Sequence, residues 1–237
     1  MKFLVNKAAE RGEANHGWLH AKYSFSFASF NDPKRIHFGA LRVLNDDIVA
    51  PGMGFSTHPH DNMEIITIPL RGALRHKDSM GNTSTIQAGE IQVMSAGSGV
   101  EHSEFNPNHH EDLNLFQIWL FPNKRNVAPR YDQKKIRVDE FPNTMVEILT
   151  PNPTEDAVWI HQDAWFSMGT FTEDTAIDYT LKNPANGVYI MQIEGMANVE
   201  GEQLNERDAI QIEGVSSLKF NAKKGARILL MEVPLVF

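Results

Sequence analysis

The sequence predicts an all-β protein made of two tandem β-barrel modules. Three observations carry this reading. Short apolar segments with period-2 alternation or β-branched runs recur along the 237 residues, separated by Gly- and Pro-bearing turns. Many short strands at that spacing indicate a sandwich or a barrel. A polar, Pro-punctuated stretch divides the chain between about residues 122 and 142, and the segments on its two sides echo each other.

The strands predicted before the division cover residues 65–69, 91–94 and 115–120. Those after it cover 145–149, 188–193, 209–212 and 228–233. Turn signals bound them: Pro51-Gly52, Arg71-Gly72, Met80-Gly81-Asn82, Ala88-Gly89, Gly97-Ser98-Gly99, Glu200-Gly201 and Lys224-Gly225. No long amphipathic helix is predicted; the best helical candidate is a short turn near residues 31–35. The echo runs as follows. A strand ending at Gly72 leads to a hairpin tip and then to Glu90-Ile91-Gln92-Val93. A strand ending at Gly195 leads to the tip at Glu200-Gly201-Glu202 and then to Asp208-Ala209-Ile210-Gln211-Ile212. Two copies of one module follow: 1–122, a linker over 123–142, and 143–237.

Composition narrows the function. With 22 basic against 30 acidic residues the net charge is −8, so direct nucleic-acid binding is not expected. No cysteine is present, which excludes disulfides, thiolate metal sites, Fe–S ligation and thiol nucleophiles. The N-terminus has only three consecutive apolar residues, Phe3 to Val5, where a secretory signal needs roughly 7–15. No apolar run approaches the roughly 18 residues of a membrane span. A cytoplasmic location is therefore expected. Gly-x-Ser-x-Gly, Walker A and Gly-x-Gly-x-x-Gly fingerprints are missing.

Histidine then becomes the informative residue. Nine of the ten histidines precede the division. Two segments stand out: Thr57-His58-Pro59-His60 and Glu101-His102-Ser103-Glu104, each beside a Gly-rich turn. On a strand, residues i and i+2 face the same side. His58 and His60 thus present two imidazoles together, and His102 and Glu104 an imidazole and a carboxylate. If the two strands are neighbours, four donors converge. Three imidazoles and a carboxylate suit one divalent first-row transition ion. The second half has only His161, so the metal site is expected in the N-terminal barrel alone.

The spacing Gly52-x5-His58-x-His60-x3-Glu64-x7-Gly72 resembles the first cupin motif. Gly89-x5-Ser95-x-Gly97 with His102-x3-Asn106 resembles the second, with Ser where Pro is usual and two extra residues before the histidine. His16-Gly17-Trp18-Leu19, Phe25-Ser26-Phe27, Leu41-Arg42-Val43-Leu44-Asn45-Asp46-Asp47, His58-Pro59-His60, His76-x-Asp78-Ser79-x-Gly81-Asn82 and Met94-Ser95-Ala96-Gly97-x-Gly99-x2-His102-Ser103-Glu104 are, more narrowly, similar to the pirin family. The likeness is dense over residues 10–122 and is a matter of pattern alone beyond. It points to the short bacterial pirin-like quercetin 2,3-dioxygenases.

That resemblance implies a bicupin with metal ligands His58, His60, His102 and Glu104. Iron(II) is the expected ion, with zinc, copper, manganese, nickel and cobalt left open. It implies a dioxygenase that takes a small aromatic, flavonol-like substrate and O2, cleaves the heterocycle and leaves a depside and carbon monoxide. Glu104 is then both ligand and proton acceptor. In the general cupin pattern the carboxylate ligand is the first-motif glutamate, here Glu64; in pirins it comes from the second motif, which puts Glu64 just outside the ligand set. The alternative implied function is a non-enzymatic, iron-dependent, redox-sensing regulator with a protein partner. A tandem bicupin can be complete as a monomer, which is the expectation here.

The remaining candidates have plainer readings. His109-His110-Glu111-Asp112 reads as a solvated loop, and His76 and Asp78 as structural residues that flank a hairpin tip, with turn chemistry over Asp78-Ser79-Met80-Gly81-Asn82. His16 and His20 read as packing or surface positions. His37 is a pocket candidate, and Phe38, Phe55 and Met94 are candidate pocket walls.

Overall fold

A computed structural model describes all residues, 1–237. The chain is built from 22 strands and two short 3-10 turns, Ala8–Glu10 and Val138–Glu140. None of its helices is long and apolar enough to cross a membrane. Residues 31–35 form a turn rather than a helix.

Each module pairs a seven-stranded sheet with a four-stranded one. In the first, Glu90–Ser95, Glu64–Arg71, Leu113–Leu120 and Leu41–Val49 lie side by side, all antiparallel. In the second, Ala209–Glu213, Asn186–Glu194, Arg227–Pro234 and Trp165–Thr170 repeat that order. This is the echo seen in the sequence, realised as equivalent strands in equivalent sheets.

The edges of the two sheets are exchanged. Lys2–Asn6, at the start of the chain, pairs with Ala209–Glu213 of the second module. Arg130–Lys135, inside the expected 123–142 linker, pairs with Glu90–Ser95 of the first. Each module's leading segment therefore covers the sheet edge of the other and satisfies backbone groups that would otherwise be exposed.

The two seven-stranded sheets pack back to back. Ile66, Ile68, Val93, Phe116 and Ile118 of the first join Tyr189, Met191, Ile193, Leu229 and Met231 of the second in one continuous core. Burial on both faces explains why Glu64–Arg71 and Asn186–Glu194 are near-continuous apolar runs instead of alternating ones. The barrel interiors differ. A cluster of 16 buried apolar residues, among them Val188, Ile190, Leu218, Phe220 and Leu230, fills the second. The first has only two small apolar clusters, separated by polar side chains.

One buried carboxylate pins the second barrel. Glu232 lies on the inward face with Ile228 and Leu230 and is completely buried. It accepts hydrogen bonds from Tyr179 Oη (2.8 Å), the backbone N–H groups of Lys182 (2.9 Å) and Asn183 (3.0 Å), and Asn186 Nδ2 (2.8 Å). Glu232→Ala strands four donors together. It is expected to lower unfolding free energy by about 3–5 kcal/mol, read as a lower denaturant midpoint at constant slope. A loss below about 1 kcal/mol would show that water replaces the carboxylate.

Candidate metal centre

The four-stranded sheet of the first module runs in the order Gly54–His60, Val100–Phe105, Ala73–Asp78, Thr83–Gln87. The two histidine-bearing strands are therefore hydrogen-bonded neighbours. Their register sets His102 opposite His58 and Val100 opposite His60. His58 and His60 share one face of their strand, and His102 is directed to the same point. The ring centroids are 4.4 Å apart for His58–His102, 4.8 Å for His58–His60 and 4.9 Å for His60–His102. One nitrogen of each lies within 4.8 Å of the others, and His60 Nε2 is 3.0 Å from His102 Nε2.

The protonation states favour ligation. His58 Nδ1 is 2.8 Å from the Ser56 carbonyl; donating its proton there leaves Nε2 with a free lone pair. Burial, reinforced by the neighbouring His58 imidazole, depresses His60 to about 4. Burial and the charges of His58, His60 and His76 depress His102 to about 2. Neutral imidazoles at physiological pH are the form a metal needs. Such a donor set fits a divalent transition ion.

Glu104 sits one step away from the triad. A bulge between His102 and Glu104 sets Glu104 opposite Phe55 on one neighbour and His76 on the other. Its carboxylate is grouped with His102 and His76, within 4.8 Å of a nitrogen of each. Glu104 Oε2 accepts from Gln117 Nε2 at 2.7 Å and Oε1 from Thr67 Oγ1 at 3.4 Å. Burial pushes the acid up to about 7, against the two hydrogen bonds. The structure thus joins His58, His60 and His102 in one triad and places Glu104 beside His102.

Close strand contact maintains this arrangement at Gly54. A Cβ there would meet the Glu104 carbonyl oxygen and Phe105 Cα. Gly54→Ala is expected to push the two strands apart and weaken metal binding by about tenfold or more, measured by competition with a chelator. Unchanged affinity would mean that the strands yield without moving the ligands.

A cavity of about 270 Å³ opens beside the triad. Phe27, Phe55, Ile65 and Trp119 form its apolar walls, and Asn45, Asp47, Glu104 and Gln117 supply polar groups. The Trp119 ring meets His60 edge-on at 5.0 Å and Phe27 at 5.5 Å. Mostly apolar walls with a few convergent polar groups are the usual make-up of a small-molecule site.

Several sequence expectations require correction. Glu64 does not adjoin the ligand set. Ile65 faces the pocket, so its neighbour Glu64 faces the other way. There it accepts from Ser95 Oγ at 2.7 Å and from the backbone N–H of His161, near Arg130. Glu64 therefore ties the two modules together. His37 is exposed and stands edge-on to Phe121 and Phe237, away from the pocket. Phe38 belongs to the inter-module core and Met94 to a small barrel cluster; of the three proposed walls, Phe55 lines the cavity. His76 flanks the hairpin tip, as expected, on the strand Ala73–Asp78. It is fully buried, its ring 5.4 Å from that of His102, with Nε2 2.9 Å from Asp78 Oδ2. Asp78 does have the expected turn role, accepting from the backbone N–H groups of Met80 and Asn82. His109 and His110 are exposed in a loop.

Comparison with known proteins gives two family matches. The pirin family model matches residues 5–120, and the model described as quercetinase C-terminal cupin domain matches residues 147–233. The quercetin 2,3-dioxygenase of Escherichia coli (strain K12) is 38% identical over 230 residues, 97% of this chain and 98% of its own length. A pirin-like protein of Caulobacter vibrioides is 38% identical over 222 residues, 93% of this chain and 95% of its own. Among solved structures, the bacterial pirin YhhW of Escherichia coli in complex with nickel(II) superposes with a TM-score of 0.93 at 36% identity. That superposition covers 99% of this chain and 100% of the other.

Proposed function

Because this chain belongs to the pirin family, we propose that it is a metal-dependent dioxygenase that cleaves the heterocycle of a flavonol with O2, leaving a depside and carbon monoxide. The observation that carries this reading is the convergence of His58, His60 and His102 on one point beside an aromatic-walled cavity. The similarity to the Escherichia coli quercetin 2,3-dioxygenase supports it. We assign His58, His60, His102 and Glu104 as the ligands of one divalent ion, with iron(II) as the expected metal; the nickel(II) of the related pirin is an ion of the same class. Bound there, such an ion supplies Lewis acidity toward the substrate's 3-hydroxyl and the capacity to react with O2.

The chain's own residues do the rest. Ser56 fixes the His58 ring through its carbonyl, and so fixes which nitrogen is offered. Glu104 takes the proton from the 3-hydroxyl: it is buried, and Gln117 and Thr67 hold its two oxygens in place. Phe27, Phe55, Ile65 and Trp119 hold a flat ring system and keep water from it.

The test uses iron-loaded protein with quercetin in air, following loss of the flavonol absorbance and release of carbon monoxide. Turnover with one molecule of carbon monoxide per flavonol consumed is expected. No turnover with iron, manganese, cobalt, nickel or copper would overturn the reading and leave a redox-sensing regulatory role for the same site.

A further inference from the structure

The strand Leu41–Val49 directs Asn45 and Asp47, two residues apart, into the first barrel, where both line the cavity. The register of the neighbouring strand sets Gln117 opposite Asn45, and Gln117 lines the same cavity. These three side chains are nearly inaccessible, at 4%, 3% and 8% exposure. Yet Asn45 Oδ1, Asp47 Oδ1 and Gln117 Oε1 are all without a hydrogen-bond partner in the protein. Buried polar atoms are almost always paired, and three polar side chains on one cavity, each with an unpaired oxygen, point to a partner beyond the protein's own groups. Gln117 makes the division of labour visible: its amide nitrogen holds Glu104, while its oxygen remains unclaimed.

We propose that Asn45, Asp47 and Gln117 form a recognition site for the ring hydroxyls of a polyhydroxylated aromatic substrate, apart from the hydroxyl that meets the metal. This rests on the flavonol reading of the same cavity. The trio offers two amides and a carboxyl on one cavity. Together they supply donors and acceptors side by side, as a set of hydroxyls requires. Apolar walls on the same cavity accommodate the ring that carries those hydroxyls.

The test is an anaerobic titration of the iron-loaded protein with two flavonols, quercetin and 3-hydroxyflavone. The second keeps the 3-hydroxyl and the adjacent carbonyl but lacks the ring hydroxyls. Wild-type protein is expected to bind quercetin at least about tenfold more tightly. Asp47→Ala is expected to cut that ratio to about threefold or less, and Asp47→Asn to restore most of it. Asn45→Ala, expected to lower the ratio in the same way, gives a second, independent variant. Melting temperatures should not fall in these variants, because an unpaired polar group is being removed. An equal weakening of both flavonols, or a ratio near one in the wild type, would overturn the recognition site. A preference for quercetin that depends on Asp47, found without turnover in air, would sink the dioxygenase reading and leave the recognition site standing. Binding of neither flavonol would overturn both.

Discussion

His102→Ala is expected to abolish metal binding, with bound metal falling from about one ion per chain to a trace. His102 lies on Val100–Phe105, the strand between Gly54–His60 and Ala73–Asp78, and is the member shared by both donor groups. Its Nε2 faces His60 Nε2 at 3.0 Å, and its ring is 4.4 Å from that of His58. Even residues that only orient a metal ligand are worth about 10–100-fold in affinity, so loss of a ligand exceeds about 100-fold. Elemental analysis after chelation and reloading measures this directly. A second readout is thermal. An ion that binds only the folded state at 100 times its Kd stabilises it by about 2.7 kcal/mol. Melting temperature should rise on iron addition in the wild type and stay level in His102→Ala. A stoichiometric ion in the variant would remove His102 from the ligand set.

Glu104→Gln is expected to keep the metal and lose turnover by about 10²–10⁴-fold, the range of a lost general base. The replacement has the same shape. The new amide oxygen still accepts from Gln117, whose Nε2 reaches Glu104 Oε2 at 2.7 Å in the native site. What the amide lacks is the ability to take a proton. Metal content and carbon monoxide release, measured on the same preparation, separate the two roles. Full turnover in Glu104→Gln would refute the proton-acceptor assignment while leaving the histidine triad untouched.

Much of this was legible in the sequence because it depends on local spacing. The i, i+2 rule places His58 beside His60, and the recurring Gly-bounded strands predict two similar sheets; both describe the observed fold. Parity carries further information along the neighbouring strands. Leu74, His76 and Asp78 alternate with the exposed Arg75 and Lys77, so the alternation itself places His76 inside the barrel. The same logic turns Glu64 away from the cavity once Ile65 faces it. Asn45 and Asp47 interrupt the otherwise apolar face of Leu41, Val43 and Val49, and a polar pair in such a place signals a site.

The exchange of leading strands was not legible. Lys-Phe-Leu-Val-Asn is a plausible strand anywhere, and its partner lies some 200 residues away, at Ala209–Glu213. Which sheet an edge strand joins is decided by the packing of the whole molecule. Arg130–Lys135 is similar: its charged, half-buried sequence resembles a linker because it forms the outer edge of a sheet. The bulge opposite His102 and Glu104 is equally hidden, since it brings Phe55 and His58, three residues apart, to one cavity against the period-2 rule.

X-ray absorption at the metal edge, on protein purified without added metal, tests the ligand assignment most directly. One ion per chain, surrounded by three imidazole nitrogens and a carboxylate oxygen at roughly 2.0–2.2 Å, is the predicted result. A metal-free preparation that takes up no divalent ion, or a bound ion with no imidazole scattering, would contradict it.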